Sequence, residues 1–290
     1  MSTTRPIIPE RSRFIGEFQV GRILPFIHKK MIGPFIFIDH MGPEILGKGK
    51  WMDIGMHPHI GLSTLTYLFE GVMEHRDSTG AVQQIEKGAV NWMTAGKGVT
   101  HTERTPANLR HTEKMPMHGF QIWVALPLAF EDIDPHFFHL PAREVPEWQE
   151  NDFTLRLVAG KWGSRESKVP VYSPLYMVDI RVGREGGEIP FMHQSFGEWG
   201  ISVVEGGLET DHFEVRPGEM LVSGGEPCPF VRAIPGSRLL LFGGEPFAEP
   251  RYIRWNFVAS SEARLKAASE RWKAKDFPIV PGETIWIPEP

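Results

Sequence analysis

The chain has 290 residues and a formal net charge of −5, with 41% hydrophobic and 23% charged residues, 30 glycines and 25 prolines. That length favours two domains over one, and the composition excludes global disorder and gives no electrostatic case for direct nucleic-acid binding. A lone cysteine, Cys228, cannot close an internal disulfide, and no apolar run is long enough to serve as a signal core or membrane span, so a soluble, cytoplasmic protein is expected.

In chain order, residues 1–12 are polar, residues 18–23 alternate weakly, and residues 32–39 read as a buried strand. Asp39-His40-Met41-Gly42-Pro43 reads as a turn close to the mouth of a site, and Gly47-Lys48-Gly49-Lys50 as a flexible basic loop. The stretch 56–103 then carries the same device at both ends, His57-Pro58-His59 and His101-Thr102-Glu103. Side chains two apart on a strand share a face, so two such strands side by side would bring three imidazoles and one carboxylate together. That is a nitrogen and oxygen ligand set, suited to Fe(II), Ni(II), Cu(II), Mn(II) or Zn(II). Between the pairs lie short runs rich in β-branched and aromatic residues at 62–69, 72–77, 82–85 and 89–94, each stopped by a glycine turn.

Residues 117–127 read as a further strand of the same lobe. The proline-dense stretch 126–150 reads as the crossing between domains, which places the boundary between residues 135 and 136. A second series of strands follows, at 153–159, 169–182, 200–205, 207–215, 220–223, 229–233 and 237–242. Its punctuation echoes the first: Val204-Glu205-Gly206 repeats Phe69-Glu70-Gly71, as an internal duplication would. The ligands are not repeated, since only His193 and His212 follow residue 150 and His212-Phe213-Glu214 has no His-x-His partner. One metal per chain is therefore expected. Residues 261–275 form the one convincing helix, with a serine at its start, an apolar stripe of Leu265, Ala268 and Trp272, and Phe277-Pro278 as its stop.

A duplicated β-sandwich with His-x-His and a later His resembles the bicupin architecture: all-β, two β-sandwich or jelly-roll domains and a C-terminal helix. The wording resembles the pirin family more closely still. Phe37-Ile38-Asp39-His40-Met41-Gly42-Pro43, His57-Pro58-His59-Ile60-Gly61, His75-Arg76-Asp77-Ser78, Asn91-Trp92-Met93-Thr94-Ala95-Gly96-Lys97-Gly98 and His101-Thr102-Glu103 stand in the family's order. The resemblance implies one mononuclear metal, most often iron, held by His57, His59, His101 and Glu103. It implies two functions: a quercetin 2,3-dioxygenase acting on a small aromatic, flavonol-like substrate, or a metal-dependent regulator that binds a partner protein. In the enzyme reading Glu103 also takes the substrate proton. Two departures from the family pattern are Ser63, where many pirins carry a glutamate, and Lys97, where an arginine is common. His40 and His75 could orient a ligand or serve structure, and Asp77 could accept from a turn amide. Trp92 and Met93 read as core, and His111 and His118 as structural or solvated.

Overall fold

The computed structural model describes residues 7–16, 18–47, 49–223 and 231–290. Lys48 and Cys228 lie outside the described residues, as do the first two residues of the strand expected at 229–233. Among the described residues strands dominate and there is one α-helix, Glu262–Lys273.

The chain forms two compact units, and neither is contiguous. One draws on Gly21–Phe37 and Arg143–Pro246 together with the start of the chain; the other consists of Ser12–Val20, Ile38–Ala142 and Phe247–Pro290. This differs from a division at residue 135. Residues 247–290 belong to the unit that holds the paired ligand motifs, because their hydrogen bonds and apolar side chains are directed there.

In that unit, Asp53–His59, Val99–Arg104, Val72–Asp77 and Val82–Glu86 form an antiparallel four-stranded sheet in that order. A larger sheet runs His136–Leu140, Val90–Thr94, Leu62–Glu70 and Met115–Ala125, followed by the parts of three further strands that belong to this unit, residues 38–46, 18–20 and 12–15. Ring contacts between His59 and Trp123, and between His75 and Phe137, show the two sheets face to face as a sandwich. Leu62–Glu70 is buried along all but its last residue, which is why its alternation is only approximate in the sequence.

One local expectation changes. Residues 39–43 are not a turn but the middle of the twelve-residue strand Phe35–Leu46, with Asp39 and His40 buried. Sheet pairing overrides the Gly-Pro signal, and Gly42 absorbs the local conformation at a φ of +77°. Residues 126–150 hold the crossing, since one unit ends at Ala142 and the other takes up at Arg143, and the stretch also contributes strands. His136–Leu140 extends the larger sheet by pairing with Val90–Thr94, and Glu147–Glu150 pairs with Phe153–Trp162. The prolines flank these strands, at positions an edge strand tolerates.

The helix runs from Glu262 to Lys273, and Leu265, Ala268 and Trp272 are its buried stripe together with Ser269. Ser261 sits at the N-cap without a side-chain cap bond, while Ser260 donates both its N–H and its hydroxyl to buried Glu131. The stripe packs with Phe257, Ala259, Phe277 and Ile60, the residue directly after His59. The next residue, Gly61, has a φ of +66°, and a Cβ there would lie 2.0 Å from the Val258 carbonyl oxygen. Only glycine permits this close approach of the C-terminal segment. Past the helix, Thr100 donates to the Pro278 carbonyl at 2.6 Å and Arg104 grips Glu283 at 2.5 and 2.9 Å. The C-terminal segment thus braces a ligand strand through residues adjacent to His101 and Glu103.

The other unit is also a sandwich. Its main sheet runs Ile7–Pro9, Glu219–Val222, Glu198–Glu205, Arg238–Gly244, Leu175–Val182, Phe153–Trp162 and Glu147–Glu150; a smaller one runs Gly187–Glu188, Val231–Ala233, Leu208–Thr210 and Glu214–Val215. Apolar side chains from both sheets, among them Leu157, Val178, Ile201, Leu208, Val231 and Leu241, fill the space between them. The expected strand at 207–215 is broken by a turn, which leaves His212 and Glu214 exposed at the hairpin tip.

Candidate metal centre

The paired motifs lie on neighbouring strands. His101 is in register with His57 across Asp53–His59, and Glu103 with Ile54, so the register slips by one residue around Gly55 and Met56. This bulge bends the strand just before His57, and the Gly55 carbonyl accepts the His57 Nδ1–H at 2.8 Å. His59 donates its Nδ1–H to the Asn256 carbonyl at 2.9 Å. Each bond fixes a tautomer and leaves Nε2 as a bare lone pair.

For His101 the partner is a side chain. Its Nδ1 lies 3.4 Å from Nδ1 of His75, whose Nε2 is 2.9 Å from Oδ2 of Asp77. Burial pushes the Asp77 carboxyl up, but hydrogen bonds from His75 and Thr79 outweigh it and hold the pKa below the usual range. Asp77 is a carboxylate, so the proton between it and His75 belongs to His75. That makes His75 Nδ1 the acceptor from His101, and Nε2 of His101 is bare as well.

The three imidazoles converge, with one ligand atom from each lying within 4.8 Å of the others. Nε2 of His59 and Nε2 of His101 are 3.1 Å apart. Two lone pairs facing each other at that distance in a buried site call for a cation or a shared proton. Protons are disfavoured: burial lowers His57 to about 4, and burial together with the neighbouring imidazoles holds His59 and His101 well below the ordinary histidine value. The donor set, its tautomers and its neutrality fit a metal ion, so these three histidines could hold one.

Glu103 stands apart from the cluster of three. Its carboxyl is buried and hydrogen-bonded with Gln121 and Thr66 on the facing sheet, where the Thr66 hydroxyl itself donates to Gln121 Oε1 at 2.8 Å; burial is the larger effect and pushes the Glu103 pKa up to about 7. Among the four expected ligands His57 is the most accessible, at 8% against 1% for His59, 0% for His101 and 4% for Glu103.

Sequence reasoning missed Asn256, whose contribution is a main-chain carbonyl and therefore leaves no residue signature. Gln121 and Thr66 were also missed; each is a buried polar side chain, but Ser63 and Thr64 share the strand of Thr66 and His118 that of Gln121, so polarity alone did not single them out. Ser63 is placed differently from expectation. It is in register with Thr94 and Val124, whereas Thr66 is in register with Asn91 and Gln121. Three residues apart on one strand means opposite faces, so Ser63 faces away from Glu103, buried and donating to Thr94 at 3.1 Å. Trp92 is core, with its indole N–H on Thr94, and Met93 packs with Ala95, Val99 and Phe137. His118 is buried 2.9 Å from His40, nitrogen to nitrogen, and His111 is exposed.

The Pirin family matches residues 17–124, and the Pirin C-terminal cupin domain matches residues 177–278. A pirin-like protein of Caulobacter vibrioides is 43% identical over 290 residues, covering 98% of this chain and 99% of the relative. This chain belongs to the pirin family. Rat pirin is 28% identical, over 89% of this chain and 87% of its own. A crystal structure of quercetin 2,3-dioxygenase from Acinetobacter baumannii superposes with a TM-score of 0.88 at 34% identity, covering 98% of this chain and 94% of that one. A bacterial pirin from Escherichia coli in complex with nickel(II) shares the fold, with a TM-score of 0.63, 21% identity, and 83% and 99% coverage. This pirin is accordingly an all-β bicupin, with two β-sandwich units and, among the described residues, one C-terminal α-helix.

Proposed function

We propose that this pirin is a metal-dependent dioxygenase of quercetin 2,3-dioxygenase type, with one metal ion, iron in the native state, held by His57, His59, His101 and Glu103. The observation that carries this reading is the convergence of three imidazoles whose Nδ1 atoms are engaged and whose Nε2 atoms are bare. The 34% identity to the Acinetobacter quercetin 2,3-dioxygenase over 98% of this chain supports the substrate class, a small aromatic with a flavonol-like hydroxyl.

A bound metal supplies a Lewis-acidic centre at which such a hydroxyl ionises near neutral pH. Glu103 serves in two ways. As a carboxylate it completes the ligand set, and as the one carboxylate of the set it is also the group to accept the hydroxyl proton, for which a base must lie within hydrogen-bond reach. Gln121 and Thr66 hold the carboxyl in place for either task. Trp123 stands edge-on to His59, with ring centroids 5.0 Å apart, and shields the imidazole from water. Because His57 is the most accessible ligand, substrate approaches from its side.

Oxygen uptake by iron-loaded protein supplied with quercetin tests this reading. Turnover that disappears in His59→Ala is expected. Full metal occupancy without oxygen uptake would instead favour a regulator that reports metal state to a partner protein, and Ni, Mn, Cu or Zn supporting turnover where iron does not would correct the metal.

A further inference from the structure

Two of the three site imidazoles end on main-chain carbonyls, at Gly55 and Asn256. The third does not: His101 ends on a buried side-chain pair, His75 and then Asp77. We propose that Asp77 and His75 are positioning residues that set the tautomer of His101 and push charge onto it, making it the strongest donor of the three and tightening metal binding. This rests on the metal-site reading above and deepens it.

The pair is built rather than incidental. His75 is fixed by stacking on Phe137, with ring centroids 4.5 Å apart and the planes 19° from parallel. Asp77 splits its two oxygens between tasks. Oδ2 faces His75, while Oδ1 accepts from the Thr79 N–H at 2.8 Å, the Thr79 hydroxyl at 2.6 Å and the Ala81 N–H at 3.3 Å. The turn after the Val72–Asp77 strand therefore orients the carboxylate, the carboxylate orients His75, and His75 orients His101. Partners of this kind, one step behind a metal-binding imidazole, govern its orientation and basicity.

The division of labour in Asp77 makes Asp77→Asn a directed test. The turn amides of Thr79 and Ala81 still need an acceptor, so the introduced carbonyl stays with them and the introduced NH₂ points at His75. A donor there forces His75 to accept at Nε2 and carry its proton on Nδ1. His101 must then accept at Nδ1, which places its own proton on Nε2, in the metal site. Inverting a hydrogen-bond chain this way preserves the geometry and puts the wrong tautomer in place.

The experiment measures zinc and iron(II) affinity of the full-length protein by chelator competition, alongside the unfolding midpoint and histidine nitrogen NMR of the metal-free form. Asp77→Asn should weaken metal binding about 10- to 100-fold, leave the metal-free unfolding midpoint close to wild type, and move the His101 proton from Nδ1 to Nε2. His75→Gln should bring partial recovery, because its amide oxygen can accept from His101 Nδ1 without supplying charge; in iron-loaded protein its reduction potential should rise above wild type. His101→Ala serves as the reference. If His101→Ala abolishes metal binding but Asp77→Asn and His75→Gln bind as wild type, the positioning role is overturned and the metal site stands. If His101→Ala itself retains metal, the metal reading is what fails. Should Asp77→Asn not fold, His75→Gln decides: an unchanged affinity and potential would overturn the proposal, and a weaker affinity with a raised potential would uphold it.

Discussion

His59 donates its Nδ1–H to the carbonyl oxygen of Asn256, 2.9 Å away in space and 197 residues away in sequence. One imidazole of the metal centre is thus oriented by a backbone atom of the C-terminal segment. What holds that atom in place is its neighbour Phe257, fully buried with Ile60, Leu265 and Trp272.

Because the acceptor is main chain, Asn256→Ala should leave metal affinity within about twofold of wild type. Phe257→Ala should do the opposite, since truncating a buried phenylalanine costs roughly 3–5 kcal/mol and loosens the carbonyl that His59 needs. Chemical denaturation and chelator competition on the two variants would check the contrast; equal metal affinity in both would show that the Asn256 carbonyl plays no part.

Glu103 gives the metal-free protein a stability that falls as pH rises. Its folded pKa is raised to about 7 from 4.5, so between those values the unfolded carboxyl has lost its proton while the folded one retains it. The shift corresponds to about 3 kcal/mol at pH above 7 and to nothing below 4.5. Glu103→Gln removes the titration. In chelator-treated protein at pH 8 it should be more stable than wild type, relative to the difference between the two at pH 4, as urea unfolding at both values would reveal.

His57 acts at the other end of the scale. Its folded pKa is depressed to about 4 from 6.5, so as pH falls through that window the unfolded state takes up a proton that the folded state refuses. Metal-free wild type should lose up to about 3 kcal/mol on this account between pH 6.5 and 4. His57→Gln should lose correspondingly less over the same range. An identical pH dependence in the two proteins would mean that His57 is not buried neutral.

Ser63→Glu places a carboxylate on the buried face opposite Glu103, in contact with Thr94 and without a cationic partner in its register. It should cost at least ~2 kcal/mol of stability and should not raise oxygen uptake with quercetin. A stable variant with increased turnover would show that this position reaches the metal face after all.

The sequence alone determined the strand character, the duplication and the three imidazoles, because these are short-range properties. Two residues apart on a strand is a fixed direction, so His57 with His59, and His101 with Glu103, could be paired by spacing, and the stripe of Leu265, Ala268 and Trp272 by helical period. Tertiary structure decided what no local period encodes. It decided that Phe35–Leu46 continues through a Gly-Pro pair and that His136–Leu140 joins the larger sheet, because pairing partners far along the chain supply the hydrogen bonds. It decided the face of Ser63, which depends on register with Thr94 rather than on neighbours in sequence. It also decided that His101 ends on Asp77 through His75 while His59 ends on a carbonyl of residue 256: a tautomer is set by whatever acceptor packing delivers to the far side of the ring, and a backbone acceptor carries no side-chain signature.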